Sequence, residues 1–144
     1  MSSTVRCFVG ISLSDEVRAA ALHAASAIRK LDPPWMGEKW VSPENLHVTL
    51  AFMPAVHQGR VDEMSGVVER IVSGHPPVRL GDPRTEAVPS PGRCRMLWLA
   101  FSDPSGGCAG LASDLRAGLT DFGAEDDRGR PFRPHVTLCR ARRP

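Results

Sequence analysis

The chain has 144 residues, is 42% hydrophobic and 24% charged, and carries a formal net charge of +2 at neutral pH. These values fit one globular domain able to bury a core of its own, and they exclude a disordered or fibrous chain. No apolar run approaches the roughly 18–20 residues that a membrane span needs, and Met1-Ser2-Ser3-Thr4-Val5-Arg6-Cys7-Phe8 lacks the layout of a signal peptide. A soluble, cytoplasmic protein is expected.

Val5–Leu13 reads as a buried strand, apolar apart from Arg6 and small residues. Ser14 is placed to cap a helix whose first turn holds Asp15 and Glu16. Val17, Ala20, Ala21, Ala24, Ile28 and Leu31 form its apolar stripe, and Asp32-Pro33-Pro34 stops it. After Trp40-Val41 and a turn at Ser42-Pro43-Glu44-Asn45 comes a strand from Leu46 to Met53. Along it Leu46, Val48, Leu50 and Phe52 share one face, while His47 and Thr49 share the other. Val61, Met64, Val67, Val68, Ile71 and Val72 mark a second helix closed by Gly74, and Val78-Arg79-Leu80 is a short strand candidate. Gly81–Arg93, rich in Pro, Gly and Arg, reads as a long connection. Arg95–Phe101 is another buried strand. Leu111, Leu115, Leu119 and Phe122 give a third helix ending at Gly123, a polar loop covers Asp126–Pro134, and a strand starts at His135.

Two tetrapeptides in this series share one design: His47-Val48-Thr49-Leu50 and His135-Val136-Thr137-Leu138. With five His and five Thr in a chain 42% hydrophobic, random placement gives roughly 0.03 such His-apolar-Thr-apolar units. The lead-in repeats as well. Arg6 to His47 spans 41 residues and Arg95 to His135 spans 40, each through strand, helix and histidine strand. An internal duplication with an approximate two-fold relation follows, with one lobe over about residues 1–81 and the other over about 82–144. The copies differ downstream: 33 residues run from His47 to Leu80, and nine follow His135.

Histidine titrates near pH 6.5 when unperturbed, so two imidazoles can divide the proton transfers of a displacement at phosphorus. One, neutral, takes a proton from water; the other, protonated, gives one to the leaving oxygen. A Thr two residues on, on the same strand face, can donate to a non-bridging phosphate oxygen. No metal or cofactor is required. The basic segment Arg128–Pro144, with six arginines and no acid, favours a phosphate-bearing ligand, although 16 Arg against two Lys also indicates a general arginine bias.

These motifs, with Trp40-Val41-x-Pro43-Glu44-Asn45-Leu46-His47 and Arg130-Pro131-Phe132-x-Pro134-His135, resemble the two-histidine (2H) phosphoesterase superfamily. Within it they are most similar to the RNA 2′,3′-cyclic phosphodiesterase or 2′-5′ RNA ligase family, which Arg6-Cys7-Phe8-Val9-Gly10-Ile11 and Pro89-Ser90-Pro91 before Leu97-Trp98-Leu99 also fit. The resemblance implies an α+β, bilobal fold, with two antiparallel sheets around a central cleft and helices outside. It implies hydrolysis of a terminal RNA 2′,3′-cyclic phosphate to a 2′-phosphomonoester, with related 2′-5′ joining in the reverse direction. His47 would be the general acid and His135 the general base. Thr49 and Thr137 would hold the phosphate, and Arg140 matches a phosphate-contacting arginine of the family. On a regular strand Arg140, five residues from His135, would point away from the site. Phe132 is placed either to stack on a base or simply to pack beside Pro131. Relatives in the family carry further strands and a helix after the second motif, so the C-terminal part reads as shortened, and a partner completing the sheet is the alternative to a monomer.

The remaining candidates read as structural. His23, His57 and His75 lie outside the motif, and Trp35, Trp40 and Trp98 are expected in core or cleft-wall packing. Cys7, Cys94, Cys108 and Cys139 show no paired spacing, so neither a disulfide framework nor a zinc site is expected. Two other functional readings remain: a non-catalytic RNA-end or nucleotide binder, and a phosphodiesterase for a small cyclic phosphate.

Overall fold

The computed structural model describes residues 3–126 and 130–142; Arg128 and Arg143 of the basic segment lie outside the described residues. In chain order the elements are β1 (Thr4–Ser12), α1 (Asp15–Leu31), β2 (Lys39–Trp40), β3 (His47–His57), α2 (Val61–Ser73), β4 (Gly81–Val88), β5 (Met96–Ser102), α3 (Gly107–Gly118) and β6 (His135–Arg140). The expected order of strand, helix and histidine strand holds in both halves, as β1-α1-β3 and β5-α3-β6. No described helix is long and apolar enough to cross a membrane.

The chain forms two compact units, and neither follows the contiguous lobes expected over about 1–81 and 82–144. One comprises Met1–Gly10, Thr49–Gly81 and Ser102–Pro134; the other comprises Ile11–Val48, Asp82–Phe101 and His135–Pro144. β3 begins in the second unit and continues in the first.

In the first unit β1 neighbours β3, and α2 packs on α3. Met53, Val56, Met64, Leu111, Leu115, Leu119 and Phe122 supply the core of this unit. Gly118 lets the two helices approach, because the Ile71 side chain occupies the space that a Cβ there would need. Asp103 caps α3, its carboxylate accepting from the amides of Cys108 and Ala109 at 3.1 and 2.9 Å. Between the helices, His75 Nε2 lies 2.7 Å from the Asp114 carboxylate.

In the second unit α1 starts as the sequence indicates, the Ser14 hydroxyl accepting from the Val17 amide at 3.2 Å, and it ends before Pro33-Pro34. β6 lies between β5 and the start of β3, β4 lies beyond β5, and β2 also pairs with β6. Leu46, Val48, Leu97, Leu99, Phe101, Val136, Leu138 and Cys139 are buried here.

The strands follow the hydrogen-bonded order β1-β3-β6-β5-β4. The two end strands, β1 and β4, depart from the sequence expectation. β1, expected to be buried, alternates half-buried and exposed residues along its length, and Phe8 is 54% exposed. β4 occupies most of the stretch read as a connection, while Val78–Leu80 is not a strand. Asp82, Pro83, Arg84 and Glu86 obscure β4 in the sequence, and such residues are tolerated where one strand edge has no neighbour.

Candidate active site

β6 organises the site. It runs antiparallel to β3 with Val48 opposite Val136, which sets His47 across from Thr137. On its other side it runs antiparallel to β5, with Ala100 opposite His135 and Trp98 opposite Thr137. Cross-strand partners share a sheet face, so His47, Thr137 and Trp98 form one row, with His135 one step along the same face. His135 is a diagonal neighbour of His47, roughly 7–8 Å away for such pairs and somewhat less between their Cβ atoms. That spacing leaves room for a phosphate between two imidazoles.

Each histidine is held by its surroundings. His47 Nδ1 lies 2.6 Å from the Asn45 carbonyl oxygen. A carbonyl only accepts, so Nδ1 carries a proton and donates it, leaving Nε2 as the working nitrogen. The short 3-10 turn Pro43–Asn45 delivers that carbonyl, which is what the Pro-Glu-Asn sequence before the first motif accomplishes. His135 lies flat against Trp98, with ring centroids 3.6 Å apart and planes 12° from parallel. Trp98 was expected only in packing; its contact with His135 gives it a part in the site. The signal available in the sequence was its place on an alternating strand, but no local pattern reveals which cross-strand ring it meets.

Replacing Trp98 by leucine should therefore lower turnover by about 10–100-fold by removing the stacking contact on the His135 ring, since small misplacements of a side chain in an active site have effects of that order. Phenylalanine should restore most of the loss. Steady-state kinetics of the two variants checks this, and equal losses would mean that ring stacking is not the relevant contact.

Arg140 is brought to the same face by a bulge. Leu97 is opposite Cys139 and Trp98 is opposite Thr137, so Leu138 has no partner of its own on β5. Leu138 and Cys139 are consequently both buried, and the alternation is reset before the exposed Arg140. Arg140 stands opposite Met96, two residues from Trp98, and its Nη1 lies 3.3 Å from the Met96 sulfur. On a regular strand Arg140 would point away from His135; the extra residue Leu138 turns it to the same face.

The other predicted residues are placed as follows. Thr49 follows His47 on the same side of β3, half-buried between buried Val48 and Leu50. It belongs to the other compact unit, as does Phe132. Phe132 is half-buried with the Arg116 guanidinium 5.3 Å from its ring centroid, and Arg116 Nε donates to the Leu50 carbonyl at 3.1 Å. That contact gives Phe132 a packing role.

Cys139, beside Arg140, takes no part in proton transfer. Burial, reinforced by Glu38 and Cys94, pushes its thiol up to about 11. Burial and Asp103 do the same to Cys108, also to about 11. Raised values keep both as neutral thiols at pH 7–8, and neither is exposed. Iodoacetamide at pH 7.5 should thus leave Cys108 and Cys139 unmodified in the folded protein, as read by peptide mass spectrometry; alkylation of Cys139 without unfolding would contradict this.

Residues 13–144 match the model of the 2'-5' RNA ligase superfamily. The chain belongs to this superfamily. It is 32% identical to an RNA 2′,3′-cyclic phosphodiesterase of Thermus thermophilus, covering 97% of the chain and 70% of that protein. A protein of the same name from Escherichia coli is also 32% identical, over 97% of the chain and 74% of its own length. Among solved structures, TT0787 of Thermus thermophilus matches with a TM-score of 0.73 and 29% identity, covering 97% of this chain and 76% of that one. Escherichia coli LigT complexed with 3'-AMP matches at 0.67 and 30% identity, covering 96% and 73%. These likenesses bear out the expected α+β phosphoesterase fold of this superfamily member.

Proposed function

We propose that the chain is an RNA 2′,3′-cyclic phosphodiesterase that opens a terminal cyclic phosphate to a 2′-phosphomonoester by histidine acid–base catalysis. The observation that carries this reading is the antiparallel register at Val48–Val136, which sets His47 across from Thr137 on the face that also holds His135. In the reaction, His135 takes a proton from the attacking water as its oxygen bonds to phosphorus. The bond from phosphorus to O3′ breaks, and His47 Nε2 protonates the departing oxygen. Thr137 donates to a non-bridging oxygen, where charge accumulates in the transition state. Arg140 supplies a guanidinium to a substrate phosphate.

The names of the relatives support RNA ends as the substrate class. The direct test incubates the protein, with chelator present, with an RNA ending in a 2′,3′-cyclic phosphate. A 2′-monophosphate product is expected. No turnover by folded protein would reject the activity and leave the non-catalytic RNA-end binder as the reading. Faster turnover of a small cyclic phosphate than of RNA would instead identify that substrate class.

The rate of the RNA reaction should also follow a bell-shaped pH profile. It rises as the base becomes neutral and falls as the acid loses its proton. A rate independent of pH from about 5 to 9, measured under single-turnover conditions, would contradict this division of labour.

A further inference from the structure

A second row of side chains crosses the sheet next to the catalytic row. β2 pairs antiparallel with β6, with Lys39 opposite Arg140 and Trp40 opposite Cys139, while Met96 faces Arg140 from β5. The row therefore reads Lys39, Arg140, Met96, beside the row His47, Thr137, Trp98. On β5 the two rows are two residues apart, about 7 Å along a strand. Because Arg140 shares the face of Thr137 and His135 through the bulge, Lys39, its direct cross-strand partner, shares that face too.

Two like charges directly opposite each other destabilise a strand pair. Lys39 and Arg140 are both exposed, and among the described residues neither is in an ion pair. The acid next in sequence, Glu38, is engaged elsewhere, its carboxylate accepting from the Arg142 amide at 2.6 Å. The backbone at Lys39 is nevertheless firmly set. Trp40 Nε1 donates to the Trp35 carbonyl at 2.7 Å, the Arg29 guanidinium lies 4.6 Å from the Trp40 ring centroid, and the Val41 amide donates to the Leu138 carbonyl at 2.9 Å. The strand register thus puts two exposed cations side by side on this face, an arrangement that favours an anion.

We propose that Lys39 and Arg140 together bind the phosphodiester that joins the terminal nucleotide to the rest of the RNA, making Lys39 a specificity residue. This rests on the cyclic phosphodiesterase reading above. A 3′ end carrying a cyclic phosphate has one neighbouring phosphate in the strand. With the reacting phosphorus between His47 and His135, the adjacent row is one nucleotide's reach away. A cyclic mononucleotide has nothing to place there, so the pair distinguishes RNA ends from small cyclic phosphates.

The test compares three substrates: a nucleoside 2′,3′-cyclic phosphate, a dinucleotide with the same end, and that dinucleotide with a neutral methylphosphonate linkage. For the unmodified enzyme, kcat/KM should favour the natural dinucleotide over both others by about 100-fold, the size of two charge-assisted phosphate contacts. Lys39→Ala should cut the discrimination between natural and neutral linkages by about tenfold, and Lys39→Arg should restore it. Undiminished discrimination by Lys39→Ala would overturn the proposal while leaving the activity itself established. Binding of a fluorescent dinucleotide ending in a 2′-phosphate gives a readout without turnover. The unmodified protein should bind the natural linkage about 100-fold tighter than the neutral one, and Lys39→Ala should narrow that difference by about tenfold. Equal binding of the two by the unmodified protein would overturn the proposal even if no substrate is hydrolysed.

Discussion

Replacing His47 or His135 by alanine should each lower kcat for cyclic-phosphate hydrolysis by about 10²–10⁴-fold, the range that one positioned acid or base contributes. The two losses should differ in their pH signature. The general base must be neutral to act, so the acidic limb of the bell reports His135. The general acid must be protonated, so the alkaline limb reports His47. His135→Ala is expected to flatten the acidic limb of what activity remains, and His47→Ala the alkaline one. The opposite pattern would exchange the two roles without disturbing the site. Folding should survive both changes, since each ring is half-buried. His135→Ala uncovers the Trp98 face, at a cost of about 1 kcal/mol, and His47→Ala removes one hydrogen bond to Asn45. Urea unfolding of the variants separates these small effects from loss of catalysis.

Arg140→Ala should lower kcat/KM for an RNA substrate by about 10–100-fold, mainly through KM, as expected on losing a charged donor to phosphate. The prediction depends on the bulge. Were β6 regular, Arg140 would lie on the side of Val136 and Leu138, and its removal would be felt in stability rather than in substrate binding. Instead Arg140 is exposed, opposite Met96, on the face of Thr137. Its replacement should leave the urea midpoint within experimental error, because surface substitutions of this kind change stability little. A large fall in stability with unchanged KM would show that the guanidinium serves the fold. Lysine at this position should recover part of the affinity, because it keeps the charge but not the planar fork.

Much of this site was legible in the residue order because its grammar is local. A strand places residues i and i+2 on one face, so each His-x-Thr unit declares its own functional side, and the apolar residues between declare the buried one. The caps and stops of α1 and α2 are equally local, resting on Ser14, Pro33-Pro34 and Gly74. β1 and β4 were harder to read for a reason that is not local. Burial of a strand depends on how many neighbours it has, and the ends of a sheet are set by pairing across long sequence separations.

By itself, then, the sequence determined the chemistry: two imidazoles, each with a hydroxyl two residues on, in flanks shared with one superfamily. Only the tertiary structure decided which groups meet. It set His47 across from Thr137, laid Trp98 on His135, reset β6 so that Arg140 faces the site, and brought Lys39 opposite it. Strand alternation is a property of consecutive residues, whereas register and bulges are properties of pairs of strands. Leu138, which has no partner of its own on β5, is what reverses the side on which Arg140 emerges.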